Sequence, residues 1–113
     1  MRFIYIDGET INPLTLAAEQ NFSVCERVFV WSQQPVIQAW CEQQFFTAVN
    51  NTTHTAGYLL EHAARLLARL NSTERRQSDW VLYSKDRSLC QAFLAHAKTQ
   101  GIFASCPLQH TSR

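Results

Sequence analysis

The chain has 113 residues, 46% of them hydrophobic and 17% charged, with a formal net charge of +1. That length suits one domain, the apolar content supports a packed core and excludes a disordered chain, and the near-zero charge excludes a uniformly basic nucleic-acid glove while leaving room for a local basic patch. The N-terminus reads as lacking a secretory signal, because Asp7 interrupts a short apolar run, and no apolar stretch reaches membrane-spanning length; a cytoplasmic, non-membrane protein is expected. Cysteines stand at 25, 41, 90 and 106, without a Cys-x-x-Cys pair or a histidine at zinc spacing, so they read as four buried thiols rather than a metal cluster.

In chain order, residues 2–6 read as a buried strand. Pro13 suits a first helical turn, and a helix is expected over Leu14–Gln20. "RVFVWS" (27–32) is β-branched and aromatic, a second strand. Pro35 opens a helix through about Gln44, and "FFTAVN" (45–50) reads as a third strand. Thr52 or Thr53 is placed to cap a long helix ending at Leu70. There Ala56, Leu59, Leu60, Ala63, Leu66, Leu67 and Leu70 fall on one face, and Tyr58, Glu61, His62, Arg65 and Arg69 on the other. "NSTERRQS" (71–78) reads as a loop, "WVLYS" (80–84) as a fourth strand, Ser88–Gln100 as a helix stopped by Gly101, and "IFASC" (102–106) as a fifth strand. One domain over 1–108 with a short tail, 109–113, follows.

Strands alternating with helices predict an α/β/α sandwich of three layers around a mainly parallel five-stranded sheet. Such sheets place their sites beyond the carboxyl ends of the strands, where strand order reverses. Asp7 leaves the first strand at that end, and Asp86 follows the fourth. Two carboxylates across one crevice are hard oxygen ligands for Mg²⁺ or Mn²⁺, which activates water and neutralises phosphodiester charge. Ser84 is placed to hydrogen-bond a ligand carboxylate or a metal-bound water, and Gly8 to let the backbone turn sharply. The competing expectation is ordinary: Asp and Gly form loops, and Asp86 or Ser88 caps the helix that follows.

"FIYIDGETI" resembles the first-strand motif of PIN-like domains, in particular the NYN branch. "WVLYSKDRSLCQAFLAHAKTQGI" is similar to that family's later strand, Ser-x-Asp and helix, and "THTAGYLLEHAARLLARL" sits where its central helix belongs. The resemblance runs through nearly the whole chain and implies a PIN-like parallel sandwich with metal-dependent RNA cleavage. It makes Asp7 and Asp86 the catalytic and metal-binding acids, with Mg²⁺ or Mn²⁺ as cofactor. Glu9 matches a variable acidic position, and Glu61 is a helper one turn along the central helix. The sequence departs from the pattern at Tyr58 and Cys90, where acids are expected, and at Thr10, which replaces an asparagine. Two functions stay open: a metal-dependent endoribonuclease, weakened or not, and an inactive module that binds nucleic acid or a protein partner.

Around the crevice, Ser84, Lys85 and Arg87, with Arg65 and Tyr58 on the central helix, form the expected nucleic-acid-binding set, joined by Arg69, Arg75 and Arg76 as a basic rim. His62 is expected on the solvated face, His96 partly buried, and His54 exposed near a helix start. Trp31, Trp40 and Trp80 read as core or interface anchors. Trp31, at a strand end, is expected to be partly exposed and available to a homodimer.

Overall fold

A computed structural model describes residues 2–23, 25–49 and 55–109, with side chains from 59 onward in the last segment. Strand β1 (Arg2–Asp7) leads through α1 (Pro13–Gln20) to β2 (Arg27–Trp31), and α2 (Pro35–Gln44) leads to β3 (Thr47–Val49). Helix α3 (Thr55–Ala68) and α4 (Ser72–Gln77) return the chain to β4 (Asp79–Tyr83). Helix α5 (Arg87–Thr99), β5 (Phe103–Ser105) and a 3₁₀ turn over Pro107–Gln109 complete it.

The five strands lie in the order β3-β2-β1-β4-β5, all parallel. The chain moves outward from β1 to β3 and then crosses to the other side of β1. Strand order therefore reverses between β1 and β4, whose registers pair Ile6 with Tyr83. β1 is central and buried on both faces, which is why Phe3 to Ile6 form an unbroken apolar run. Alternation along the strands divides the core. Phe3, Tyr5, Phe29, Trp31, Trp80 and Leu82 pack beneath α3 and α5. Ile4, Ile6, Val28, Val30, Val81 and Tyr83 pack against α1 and α2. The result is the expected three-layer α/β/α sandwich.

Helix starts follow local chemistry. Asn12 accepts from the Leu14 and Thr15 N–H groups ahead of Pro13, and caps α1. The expected loop over 71–78 is instead a short helix, because Asn71 and Glu74 form a reciprocal capping box with both bonds at 2.8 Å. α4 buries no residue, so it has no apolar stripe to betray it. Arg75 Nε ties it back to the Leu67 carbonyl.

Other expectations shift. β3 starts at Thr47 rather than at 45, because Phe45 takes a left-handed conformation to cap α2, and residue 50 lies outside the described residues. Trp31 is buried, only 1% exposed, so it offers nothing to a dimer surface. Cys41 and Cys90 are buried and Cys106 half-buried, whereas Cys25 is exposed in the turn that Ser23 and Glu26 organise. His62 is half-buried rather than solvated: it lies three residues after Leu59 and four before Leu66, hence on the packing side of α3. His96 is half-buried as expected, but its buried Nε2 is not satisfied, having no hydrogen-bond partner among the described residues. The Thr52 and Thr53 caps, His54 and residues 110–113 of the expected tail lie outside the described residues. Gln109, at the start of that tail, is docked by its side chain to the Ser84 carbonyl at 3.1 Å.

Candidate functional site

The carboxyl ends of β1 and β4 meet at the strand-order reversal. Asp7, the last residue of β1, is 2% exposed, and Ser84, directly after β4, is fully buried. Three donors converge on the Asp7 carboxylate. The Glu9 N–H donates to Oδ1 at 3.1 Å, the Ser84 hydroxyl to Oδ2 at 2.8 Å, and the Thr10 hydroxyl to Oδ2 at 3.2 Å. Each hydroxyl accepts in turn from the β4–α5 loop: Ser84 Oγ from the Asp86 N–H at 3.0 Å, and Thr10 Oγ1 from the Lys85 N–H at 3.0 Å. Both hydroxyls thus relay backbone dipoles onto one buried carboxylate, which satisfies its charge.

Gly8 serves this arrangement by having no side chain. Its N–H donates to the Trp31 carbonyl at 2.7 Å, and a Cβ would collide with that same oxygen and crowd the Ser32 side chain. Gly8 does not adopt the left-handed φ that marks Gly101. The close approach of β1 to the end of β2, rather than a sharp turn, requires glycine here.

Asp86 caps α5, its Oδ1 accepting the Leu89 N–H at 3.1 Å. The helix-capping expectation is therefore realised, with Asp86 half-buried beside Asp7 through Ser84. Cys90, one turn on, donates its thiol to the Ser84 carbonyl at 3.6 Å, and burial pushes that thiol's pKa up. Cys106 contacts the same residue, its Sγ 3.9 Å from the Cys90 carbonyl, and burial raises it to about 12. Both stay protonated, closing the α5 side of the crevice with neutral sulfur.

The open side of the crevice is a polar cleft of about 370 Å³ lined by Gly8, Glu9, Thr10, Asn12, Gln34 and Lys85. Glu9 and Lys85 are exposed on its rim, and Arg87 is exposed in the first turn of α5. Asp7 lies behind this cleft rather than on its wall.

The remaining expected site residues belong to α3. Glu61 is exposed and paired with Arg65 at 3.7 Å, both on the outer surface of the helix. Tyr58 lies in the first turn of α3, and its side chain is outside the described residues. Among the described residues, no group of three or more His, Cys, Asp or Glu converges in a way that would hold a metal ion. Sequence reasoning passed over Thr10 except as a replacement for asparagine. Its only local signal is a hydroxyl three residues after a strand-ending aspartate, the spacing of a side-chain turn.

Compared with known proteins, the chain matches no family model, no curated protein sequence and no solved structure. Among the described residues, no helix is long and apolar enough to cross a membrane.

Proposed function

We propose that the chain is a PIN-like module that binds RNA at the carboxyl-end crevice, with metal-dependent cleavage weakened or lost. The observation that carries this reading is the meeting of the β1 and β4 ends at the reversal of strand order, where Ser84 joins Asp7 to the Asp86 backbone. The motifs in "FIYIDGETI" and "WVLYSKDRSLC" supply RNA as the ligand class. Lys85 and Arg87 flank Asp86 and attract phosphate, while the polar wall of Thr10, Asn12 and Gln34 accepts and donates to sugar or base edges.

The residues present do not fit a full Mg²⁺ or Mn²⁺ centre. The Asp7 carboxylate already holds three protein donors and is almost sealed from solvent, Asp86 is engaged at Leu89, and Glu61 stands on the exposed surface of α3 beside Arg65. A hard divalent ion needs several free oxygen ligands to offset its dehydration. Binding therefore rests on the crevice's own polar and cationic groups, without a step through a metal.

A metal-dependent endoribonuclease is the second reading, with Asp7 and Asp86 as ligands and Glu9 as helper. What favours it is that both acids stand at one end of the sheet and share Ser84. One experiment separates the two. Purified protein is mixed with single-stranded and structured RNA at low salt, with Mn²⁺, Mg²⁺ or chelator, while retention and cleavage are both followed. The binding reading expects retention that survives chelator and weakens when Lys85 and Arg87 are both changed to alanine. Cleavage that needs Mn²⁺ and vanishes in Asp7→Asn and Asp86→Asn establishes the nuclease instead. Absence of retention and of cleavage at low salt defeats both.

A further inference from the structure

We infer that the apolar hollow between α1 and the Pro107–Gln109 turn is a guanine-binding subsite of the crevice, in which Glu19 reads the base. The inference rests on the RNA reading and sharpens it to a sequence preference. The hollow encloses about 290 Å³, room for one base, and is walled by Ile11, Thr15, Leu16, Glu19, Lys85 and Leu108. It shares Ile11, Asn12 and Lys85 with the polar cleft, so the two are lobes of one groove.

Hydrogen bonds outside the hollow fix its walls. The Thr10 and Ile11 N–H groups both donate to the Asp7 carbonyl at 3.2 Å, which carries Ile11 into the groove. Asn12, Thr15, Leu16 and Glu19 follow at the spacing that shares one face of α1. Leu108 is 43% exposed, and the turn that carries it is anchored at Gln109. The Gln109 side chain donates to the Ser84 carbonyl at 3.1 Å, and its N–H to the Cys106 carbonyl at 3.0 Å. Ile11 and Leu16 on one side and Leu108 on the other thus offer apolar surface from separate elements, the kind of wall on which a flat base packs.

Charge is divided along the groove. Lys85 stands where the lobes join, rooted by its N–H bond to Thr10 Oγ1 at 3.0 Å, and Glu19 lines the apolar lobe alone. Neither makes an ion pair among the described residues. Asn12 and Glu19 are about 10 Å apart along α1 at ~1.5 Å per residue, the span of a nucleotide from phosphate to the far edge of its base. A nucleotide with its phosphate at Lys85 therefore presents its base edge to Glu19. A carboxylate only accepts hydrogen bonds. Guanine alone of the four bases offers two adjacent donors, N1–H and N2–H, to match two carboxylate oxygens. Adenine and cytosine set an acceptor nitrogen beside their amino group, and uracil flanks its one donor with two carbonyls, so their lone pairs repel a carboxylate. Glu9 lines only the polar lobe, which leaves Glu19 as the carboxylate that meets a base held against Leu16 and Leu108.

The full chain is titrated at low salt with short labelled oligouridylates that carry one central guanosine, inosine, adenosine or cytidine, or none. We expect the guanosine oligomer to bind roughly tenfold tighter than plain oligouridylate. Inosine, which lacks the 2-amino group, should gain only roughly threefold. Glu19→Gln abolishes the preference without weakening plain oligouridylate, and Leu108→Ala weakens the guanosine oligomer roughly threefold by removing packing surface. Both side chains are exposed, so these changes leave the core intact. Equal binding of all the oligomers, inosine held as tightly as guanosine, or a guanosine preference that survives Glu19→Gln overturns the inference and leaves RNA binding at the crevice standing. Absence of binding to every oligomer overturns both.

Discussion

The crevice at the end of β1 and the flank of α3 solve opposite electrostatic problems. At the crevice a single buried carboxylate is surrounded by donors: two hydroxyls, each fed by a loop N–H, and one N–H of its own turn. On the flank of α3, Arg65, Arg69 and Arg27 lie near one half-buried histidine, and Arg65 pairs with the exposed Glu61. The first region is internally satisfied, and its polar groups hold the fold in place. The second keeps its arginines exposed, where water solvates them. Buried charge therefore does not mark function by itself. What separates the two regions is whether buried protein groups or mainly water solvate the charge.

The sharpest way to break the comparison is Gly8→Ala. The added Cβ meets a backbone carbonyl, Trp31 O, that cannot swing away, so β1 and β2 must part. A loss of about 3 kcal/mol in unfolding free energy is expected in urea titrations. A loss under about 1 kcal/mol would mean that the strand ends tolerate separation and that the crevice is less rigid than its hydrogen bonds imply. Ser84→Ala comes next, at about 2 kcal/mol, since it strips a donor from Asp7 Oδ2 and an acceptor from the Asp86 N–H in a fully buried place. Thr10→Ala removes a parallel relay closer to solvent and is expected at about 1 kcal/mol. Arg69→Ala and Arg65→Ala should fall within about 0.5 kcal/mol of the parent, because these side chains are exposed and repel one another. If they destabilise as strongly as Ser84→Ala, the flank is a structural element and the contrast fails.

The smallest effect sharpens the contrast through pH. His62 has its folded-state pKa lowered from 6.5, so the unfolded chain binds the proton more readily. Its contribution to stability is complete above 6.5 and is lost as pH falls from there through the lower folded value. The unfolding free energy should decline over that window, and His62→Gln should flatten the decline.

Much of the fold was legible in order along the chain. Apolar runs marked β1, β2 and β4, the spacing of Leu59, Ala63 and Leu67 marked α3, and Pro13 and Pro35 marked helix starts. These signals are local, since strand burial and helical period repeat within a few residues. α4 was equally local, written in Asn71-x-x-Glu74, but a search for apolar periodicity passes over a helix that buries nothing. At the candidate site Asp7, Asp86 and Ser84 could be singled out because each stands at a strand end or helix start. The arrangement of the hydroxyl of Thr10, 74 residues from Ser84, could not.

The sequence alone determined most of the strands and helices and which carboxylates stand at the carboxyl end of the sheet, because backbone preference and burial are encoded in near neighbours. Tertiary structure alone decided that Asp7 would be met by hydroxyls and loop N–H groups, and that His62 would be caught between two aromatic rings and arginines from two elements. Those outcomes join residues as much as 77 positions apart, such as Asp7 and Ser84. Their chemistry exists only once parallel pairing of β1 with β2 and β4 has brought the distant ends together.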